Sequence, residues 1–566
     1  MRSSALCGLL CFALLTPTLF AGDRDPADRA PEAANNANTN ANASASNANA
    51  SPVTPPEVTV VKSDIDVLRR QLADQQKTIE RLQAVIDQLA AKAGVPATDA
   101  SSANVAAPVA VPASFINPAV RFPSATGDGE DTMYLMQPEA KKDAPLPSAG
   151  WNGEHFYLRS PDGTFTLLPL GYLNTNYSFY QGDGAPPNTF TVRRARFGFL
   201  GTYGSKVDYA FLFDAANTAA SGIAVRDMYL NFKPIPQFQI QAGQFKEPFS
   251  QEIGTGITNV EFLERSIVTV LYPSAAGVFR APGVSVHGDL DGGVVQYWAG
   301  IFNGKGIVQN NTTNEVETVE RLRFAPWKKS KDGLLKGLII GGSYSHGRSR
   351  GLNINNSGGT TSPELSFNGT INDSAYSFFP QFRINGAIQR YNGEFLYLRG
   401  PWGLRGEYTQ ILEKRDGVGA LAPGGIGFQT LPGVVGKGAY LYTTYLLSGE
   451  REPENAIPRV KHPVIGPPTP GVDGGSPGWG AWQLKFRYSW LEGKAGGQNF
   501  PNAFTPESVP AFSDHTDQFS MGFNWYLNYW VLLKVDLNVD RLRNPSVQGI
   551  LPQNYYVAVQ GLQFRF

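Results

Sequence analysis

The sequence predicts an all-β protein: a transmembrane antiparallel β-barrel of about 16 strands, preceded by an α-helical coiled-coil segment and disordered linkers. Three observations lead to this fold class. An export signal begins the chain, apolar and polar residues alternate in short runs over residues 151–566, and no later segment reaches about 18 uninterrupted apolar residues, as a membrane helix would. The composition agrees, because 17% charged residues and a mean hydropathy of −0.22 suit strands with a single apolar face.

Residues 1–21 are predicted to be a signal peptide. Arg2 supplies the positive charge, residues 5–15 are apolar, and a cleavage site follows Ala21. The apolar stretch is well short of the roughly 20 residues of a spanning helix, which disfavours an N-terminal membrane anchor. Both cysteines of the chain lie in this segment, so we expect neither disulfides nor thiol catalysis in the mature protein.

A coiled-coil helix is predicted over residues 63–93, between two linkers. The linkers, residues 22–62 and 94–150, are rich in Ala, Asn, Ser and Pro and cannot bury a core. Within the helix, one apolar position recurs every seven residues, at Ile65, Leu72, Ile79, Ile86 and Ala93. A helix this short is marginal alone, so we expect it to self-associate in two or three strands. The alternative is a helix packed on its own domain.

Residues 151–566 are predicted to form the barrel. Phe197 and Phe199, for example, alternate with Gly198 and Leu200. Alternation alone does not separate a membrane barrel from a soluble β-sandwich adhesin, whose apolar faces point inward. Aromatic residues near strand ends favour the membrane. At roughly 26 residues per strand with its connection, 16 strands fit, and 14 or 18 remain open.

The last strand ends at an aromatic residue. Tyr556, Ala558, Leu562, Phe564 and Phe566 share one face of it. A terminal aromatic residue of this kind resembles the signal that outer-membrane barrels present to the barrel-assembly machinery. We therefore expect that machinery, and outer-membrane lipid, among the partners of the chain.

Several stretches in the same order along the barrel carry a family resemblance. They are Phe190-Thr191-Val192-Arg193-Arg194-Ala195-Arg196, Ala242-Gly243-Gln244-Phe245-Lys246-Glu247-Pro248-Phe249, Phe262-Leu263-Glu264-Arg265-Ser266, and Gly400-Pro401-Trp402-Gly403-Leu404-Arg405-Gly406-Glu407-Tyr408. The region 190–566 resembles the phosphate-selective porin O and P family. The resemblance implies a trimeric barrel of 16 strands in the outer membrane, with a loop folded into the lumen. It does not establish phosphate as the solute.

Two groups of charged residues are predicted to line the lumen and its constriction. If Phe197 and Phe199 face lipid, strand parity turns Arg194 and Arg196 inward; the alternative is that they snorkel at a membrane rim. Residues 249–275 lack alternation, which favours an in-folded loop. The loop and its start carry Lys246, Glu247, Glu252, Glu261, Glu264 and Arg265. Their mixed signs predict a transverse field across a pore. Alternatively, Glu264 and Arg265 only fasten the loop to the wall.

The functional prediction is an outer-membrane porin, a passive channel for small hydrophilic solutes or ions. Residues 151–566 carry 36 Lys and Arg residues against 32 Asp and Glu residues, a net charge of +4, which predicts at most a mild anion preference. The alternative is a structural barrel that anchors a periplasmic coiled coil toward the cell wall. We expect a homotrimer, and no enzyme activity, cofactor, metal or nucleic acid, because the five His residues are scattered and no catalytic motif is present.

Overall fold

The computed structural model describes residues 148–566, with gaps at 152–153, 183–184, 217–221, 276–277, 312, 331–332, 350–363, 365, 368–378, 380, 421–427, 468, 470–476, 496–511 and 544–553, and the single position Lys77. The predicted signal peptide (1–21), first linker (22–62) and coiled coil (63–93) lie outside the described residues, Lys77 apart. So does the second linker (94–150), except for its last three residues. These assignments therefore stay predictions.

The described residues form strands joined by turns and loops, with two short helical turns. The strands are β1 (Ala149–Trp151), β2 (Phe156–Arg159), β3 (Phe165–Gln181), β4 (Thr189–Tyr203), β5 (Val207–Asp214), β6 (Ala224–Ile235), β7 (Phe238–Lys246), β8 (Arg280–Leu290), β9 (Val295–Phe302), β10 (Glu317–Phe324), β11 (Leu338–Ser349), β12 (Gly386–Arg399), β13 (Trp402–Ala420), β14 (Phe428–Leu446), β15 (Ala481–Ala495), β16 (Phe512–Tyr526), β17 (Val531–Arg543) and β18 (Asn554–Arg565). The helical turns are α1 (Gln251–Gly254) and a 3-10 helix (Ile267–Leu271).

Strands β3–β18 close into a barrel of 16 antiparallel strands, which confirms the predicted strand number. Each strand pairs with its neighbours in sequence, and β18 returns to pair with β3 from Tyr556 opposite Gln181 to Arg565 opposite Tyr172. Closure satisfies the backbone groups of both edge strands. The short hairpin β1–β2 adds to the start of β3, where Leu158 lies opposite Leu167.

The apolar side of each strand points out of the barrel, and the polar side points in. On β4, Phe197 is 46% exposed on the outer surface, whereas Arg196 retains only 7% of its accessible surface. On β15, Leu484 and Phe486 are exposed and Lys485 and Arg487 are buried. This is the arrangement expected of a barrel surrounded by hydrocarbon. Among the described residues, no helix has the length and apolar character needed to span a bilayer.

The two ends of the barrel differ in their connections. Phe566 lies at one end, here called the turn end, where most connections are short, such as residues 204–206 between β4 and β5. The opposite end, here called the loop end, carries most of the long connections, including residues 247–279 between β7 and β8. Two long connections depart from this rule and belong to the turn end: residues 325–337, between β10 and β11, and residues 447–480, between β14 and β15.

Candidate constriction of the barrel lumen

The connection of residues 247–279, here called the inward loop, folds into the lumen. Its hydrogen bonds reach strands far from β7: the amide of Glu252 donates to Glu407 of β13, and the amide of Leu263 donates to Asp536 of β17, both at 2.7 Å. Every residue from Gln244 to Leu271 is buried except Asn259 and Val270, which are partly buried. The loop is thus enclosed by the barrel wall.

Local sequence signals shape the inward loop. Ser250 caps α1 by accepting a hydrogen bond from the amide of Ile253 (3.0 Å), and Ser266 caps the 3-10 helix in the same way through Val268 (3.3 Å). Apolar residues of the inward loop join one buried cluster, among them Phe249, Ile253, Ile257, Phe262, Val268 and Leu271. Because the loop is buried on all sides, its sequence shows no two-residue alternation.

Glu264 fastens the inward loop to β4. Arg193 forms two hydrogen bonds with its carboxylate (2.6 and 3.2 Å), and Arg194 adds a third (2.7 Å). Consecutive strand residues normally face opposite sides, but a β-bulge next to Asn174 places both arginines beside Glu264. Burial of Glu264 would raise its pKa, but the two guanidinium groups outweigh burial and hold the pKa at about 2.

Lys246 and Arg265 satisfy carbonyl groups at the end of α1. Lys246 donates to the carbonyls of Ile253 (2.6 Å) and Thr255 (3.2 Å), and Arg265 donates to those of Glu252 (2.9 Å) and Thr255 (2.7 Å). Cations at these carbonyls complete hydrogen bonds that the single helical turn leaves open. Both side chains therefore hold the loop in shape.

The remaining predicted residues also lie in buried contacts. Glu261 of the inward loop forms an ion pair with Arg405 of β13, whose guanidinium group lies 2.8 Å from the carboxylate. The Ser274 hydroxyl donates to Glu247 within the loop. Arg196 faces inward and pairs with Asp214 of the next strand at 3.0 Å. Arg194 and Arg196 thus point into the barrel, as strand parity predicts.

Residues 447–480, here called the turn-end segment, meet the inward loop inside the barrel. The Asn455 side chain accepts hydrogen bonds from the amide of Gly256 (2.7 Å) and from Asn259 (3.2 Å) and donates to the carbonyl of Gly254 (3.4 Å). The neighbouring Glu454 pairs with Arg323 of β10 at 2.5 Å. Two connections that start at opposite ends of the barrel are therefore in direct contact inside it.

A family model described as phosphate-selective porin O and P matches residues 171–566. The chain belongs to this family. Similar solved structures include the outer-membrane protein OmpT of Vibrio cholerae, which is 11% identical, with a match covering 72% of this chain and 100% of that one and a TM-score of 0.43. An anion-selective porin from Comamonas acidovorans is 12% identical over 71% of this chain and 100% of that one, with a TM-score of 0.43. A comparison with curated proteins found no match.

A cavity of about 1100 Å³ opens at the turn end of this porin barrel and reaches the contact at Asn455. Eight cationic side chains line it: Arg196, Lys328, Lys336, Arg399, Arg451, Arg459, Lys461 and Arg565. Four carboxylates oppose them: Glu154, Glu450, Glu452 and Glu454. The lining of this water-accessible space thus has four more cationic than acidic side chains.

The sequence did not identify the residues of the porin wall that form hydrogen bonds with the inward loop. Glu407 accepts four hydrogen bonds, from the amide of Glu252, the hydroxyls of Tyr272 and Tyr440, and the amide group of Asn392, at 2.7 to 2.9 Å. Its inward position was available from parity, since Tyr408 beside it is exposed. Strand parity does not identify the residues of the inward loop, such as Glu252, that Glu407 contacts.

Among the described residues, no group of three metal-binding side chains occurs.

Proposed function

We propose that this chain is an outer-membrane diffusion channel for small hydrophilic solutes, with a preference for anions. In this proposal the turn end faces the periplasm, because outer-membrane barrels place short turns on that side. The observation that carries the anion preference is the cationic excess in the turn-end cavity, which raises the local concentration of anions. Family membership supports the channel itself.

The constriction, in this proposal, lies where the inward loop meets the wall and the turn-end segment. Oppositely charged side chains of the wall and the loop meet there in contact pairs, Arg405–Glu261 (2.8 Å) and Arg194–Glu264 (2.7 Å). Both signs of charge therefore border the constriction, which gives a path lined by mixed charges rather than a single anion trap. Lys246, Glu247 and Arg265 hold the shape of the inward loop through hydrogen bonds to other residues of the loop. A path for solutes opens when the contacts of the inward loop with the wall and with the turn-end segment loosen.

The proposal predicts that purified protein conducts in planar bilayers and that its reversal potential in asymmetric KCl has the sign of anion preference. Lys336→Glu with Lys461→Glu, in the turn-end cavity, should move the reversal potential toward cation preference, because the net charge of the cavity lining falls by four units where water is confined. The matched control is Lys206→Glu with Lys329→Glu, which makes the same change in charge at the same end of the barrel but outside the cavity. An equal shift in the control would contradict a role for the cavity.

A second candidate function is a structural barrel that anchors a periplasmic coiled coil toward the cell wall. The near-complete burial of residues 244–271 favours it, because a filled lumen passes little solute. The bilayer experiment separates the two functions. Protein that is folded, as judged by its heat-modifiable gel mobility, and yet does not conduct would favour the structural function.

We propose a homotrimer whose subunits are tied together by the coiled coil of residues 63–93. Deletion of these residues should lower the temperature at which the trimer dissociates on a detergent gel, because the heptad positions would lose their partners. Deletion of residues 22–52, within the first linker and of equal length, is the control. Equal dissociation temperatures for both deletions would contradict the role of the heptads.

A further inference from the structure

The outer surface of β14–β17 changes from apolar to charged over a short distance near the loop end. One row of directly paired residues is apolar and aromatic: Leu441, Tyr488, Phe519 and Val539. Two rows closer to the loop end, the paired residues are Lys437, Glu492, His515 and Arg543. In the intermediate row, Trp490 lies beside Asp517, which is opposite Arg541.

These charged residues face away from the lumen. They share the parity of Leu484 and Phe486, which are 49% and 45% exposed on the outer surface, whereas Arg487 between them is buried inside. In a membrane barrel the apolar row marks hydrocarbon and the aromatic rings mark its boundary. The basic residues beyond the rings therefore lie at the level of the lipid headgroups.

Asp517 is an acidic residue on this outward face, yet it is almost fully buried. Arg543 pairs with it at 2.8 Å, the hydroxyl of Tyr488 donates to it at 2.8 Å, and His515 lies 3.2 Å away. The His515 ring stacks on Trp490. Asp517 thus holds Arg543 against the wall while the Arg543 side chain stays 55% exposed.

We propose that Arg541, Arg543 and Lys437 form a binding site for a phosphorylated lipid headgroup of the outer leaflet, with Asp517 as a positioning residue. Arginine side chains match phosphate oxygens in charge and geometry. The exposed Phe486 and Met521, deeper in the membrane, provide a surface for the acyl chains. Charge complementarity favours a phosphate group, because the cations Lys437, Lys494, Arg541 and Arg543 exceed the anions Glu492 and Asp517 in this patch.

The test titrates bisphosphorylated lipid A into the full-length protein in detergent and follows the temperature of heat-modifiable unfolding. The wild type should be stabilised by lipid A, and neither phosphatidylethanolamine nor inorganic phosphate should match this effect. Arg541→Gln with Arg543→Gln should weaken the apparent affinity for lipid A roughly thirtyfold, because two phosphate contacts are lost. Lys437→Gln, on a separate strand, should weaken it about fivefold and guards against a folding defect in the double variant.

Arg348→Gln is the matched control, because Arg348 is an exposed arginine at the loop end that pairs with a carboxylate, as Arg543 does, but lies on β11, outside the patch on β14–β17. Its affinity for lipid A should be that of the wild type. Equal affinities of the wild type and the double variant would overturn the proposal, and so would equal stabilisation by inorganic phosphate. The site rests on the proposed outer-membrane location but not on conduction. Conductance of the double variant, measured in parallel, should be unchanged and separates failure of this site from failure of the channel.

Discussion

Replacing Asn455 with glycine is expected to increase the conductance of the reconstituted porin and shorten its closed intervals. Asn455 has a φ of +44°, a conformation that glycine adopts easily, so the substitution removes the side-chain hydrogen bonds without straining the backbone. Three such bonds join it to Gly254, Gly256 and Asn259. At about 1 kcal/mol each, their loss would shift the equilibrium between closed and open contacts roughly a hundredfold.

Single-channel recording in planar bilayers measures this effect directly. Asn303→Gly is the matched control, because the Asn303 side chain bonds to Gln309 in an exposed connection at the loop end, away from this contact. The control should behave as the wild type does. If Asn455→Gly also leaves conductance and closed times unchanged, the contact between the inward loop and the turn-end segment is not the barrier to flow.

The Glu407→Ala substitution is expected to cause the largest loss of stability of any single change considered. It leaves four donors without their shared acceptor: the amide of Glu252, the hydroxyls of Tyr272 and Tyr440, and the Asn392 side chain. Each buried polar group left unpaired costs about 1–3 kcal/mol. We therefore expect destabilisation by several kcal/mol and release of the α1 region from β13.

Two measurements check this prediction. The temperature of heat-modifiable unfolding should fall, and hydrogen exchange of the amides at residues 250–256 should become faster than in the wild type. Glu315→Gln, an exposed carboxylate at the loop end, is the control and should change neither property. Slow exchange at Glu252 in the Glu407→Ala variant would show that the apolar cluster around Ile253, rather than Glu407, holds the loop in place.

Within the barrel, sequence reasoning reached the features that depend on neighbouring residues. The two-residue repeat around Phe197 placed Arg194 and Arg196 inside. The lack of alternation over residues 249–275 indicated a loop that leaves the wall. Arg193 was out of reach, because parity turns it outward and only the bulge beside Asn174 brings it to Glu264.

Partners across the lumen were also beyond the sequence. Asn455 and Gly256 are separated by 199 positions, and Glu261 and Arg405 belong to a loop and a distant strand. Nothing local specifies such pairs, because they depend on how 16 strands close and on how far each connection reaches inward. The net charge of +4 could be counted in the sequence, but the gathering of eight cationic side chains and only four carboxylates around the turn-end cavity could not be foreseen.

The sequence by itself determined the kind of wall this protein builds, because alternation with a period of two is a property of each strand and selects which side meets hydrocarbon. Only the tertiary structure decided what fills the lumen inside that wall. It brought the inward loop and the turn-end segment together and paired their charges with distant strands. The physical reason is that burial and ion pairing in the lumen depend on distances through space, which closure of the barrel sets.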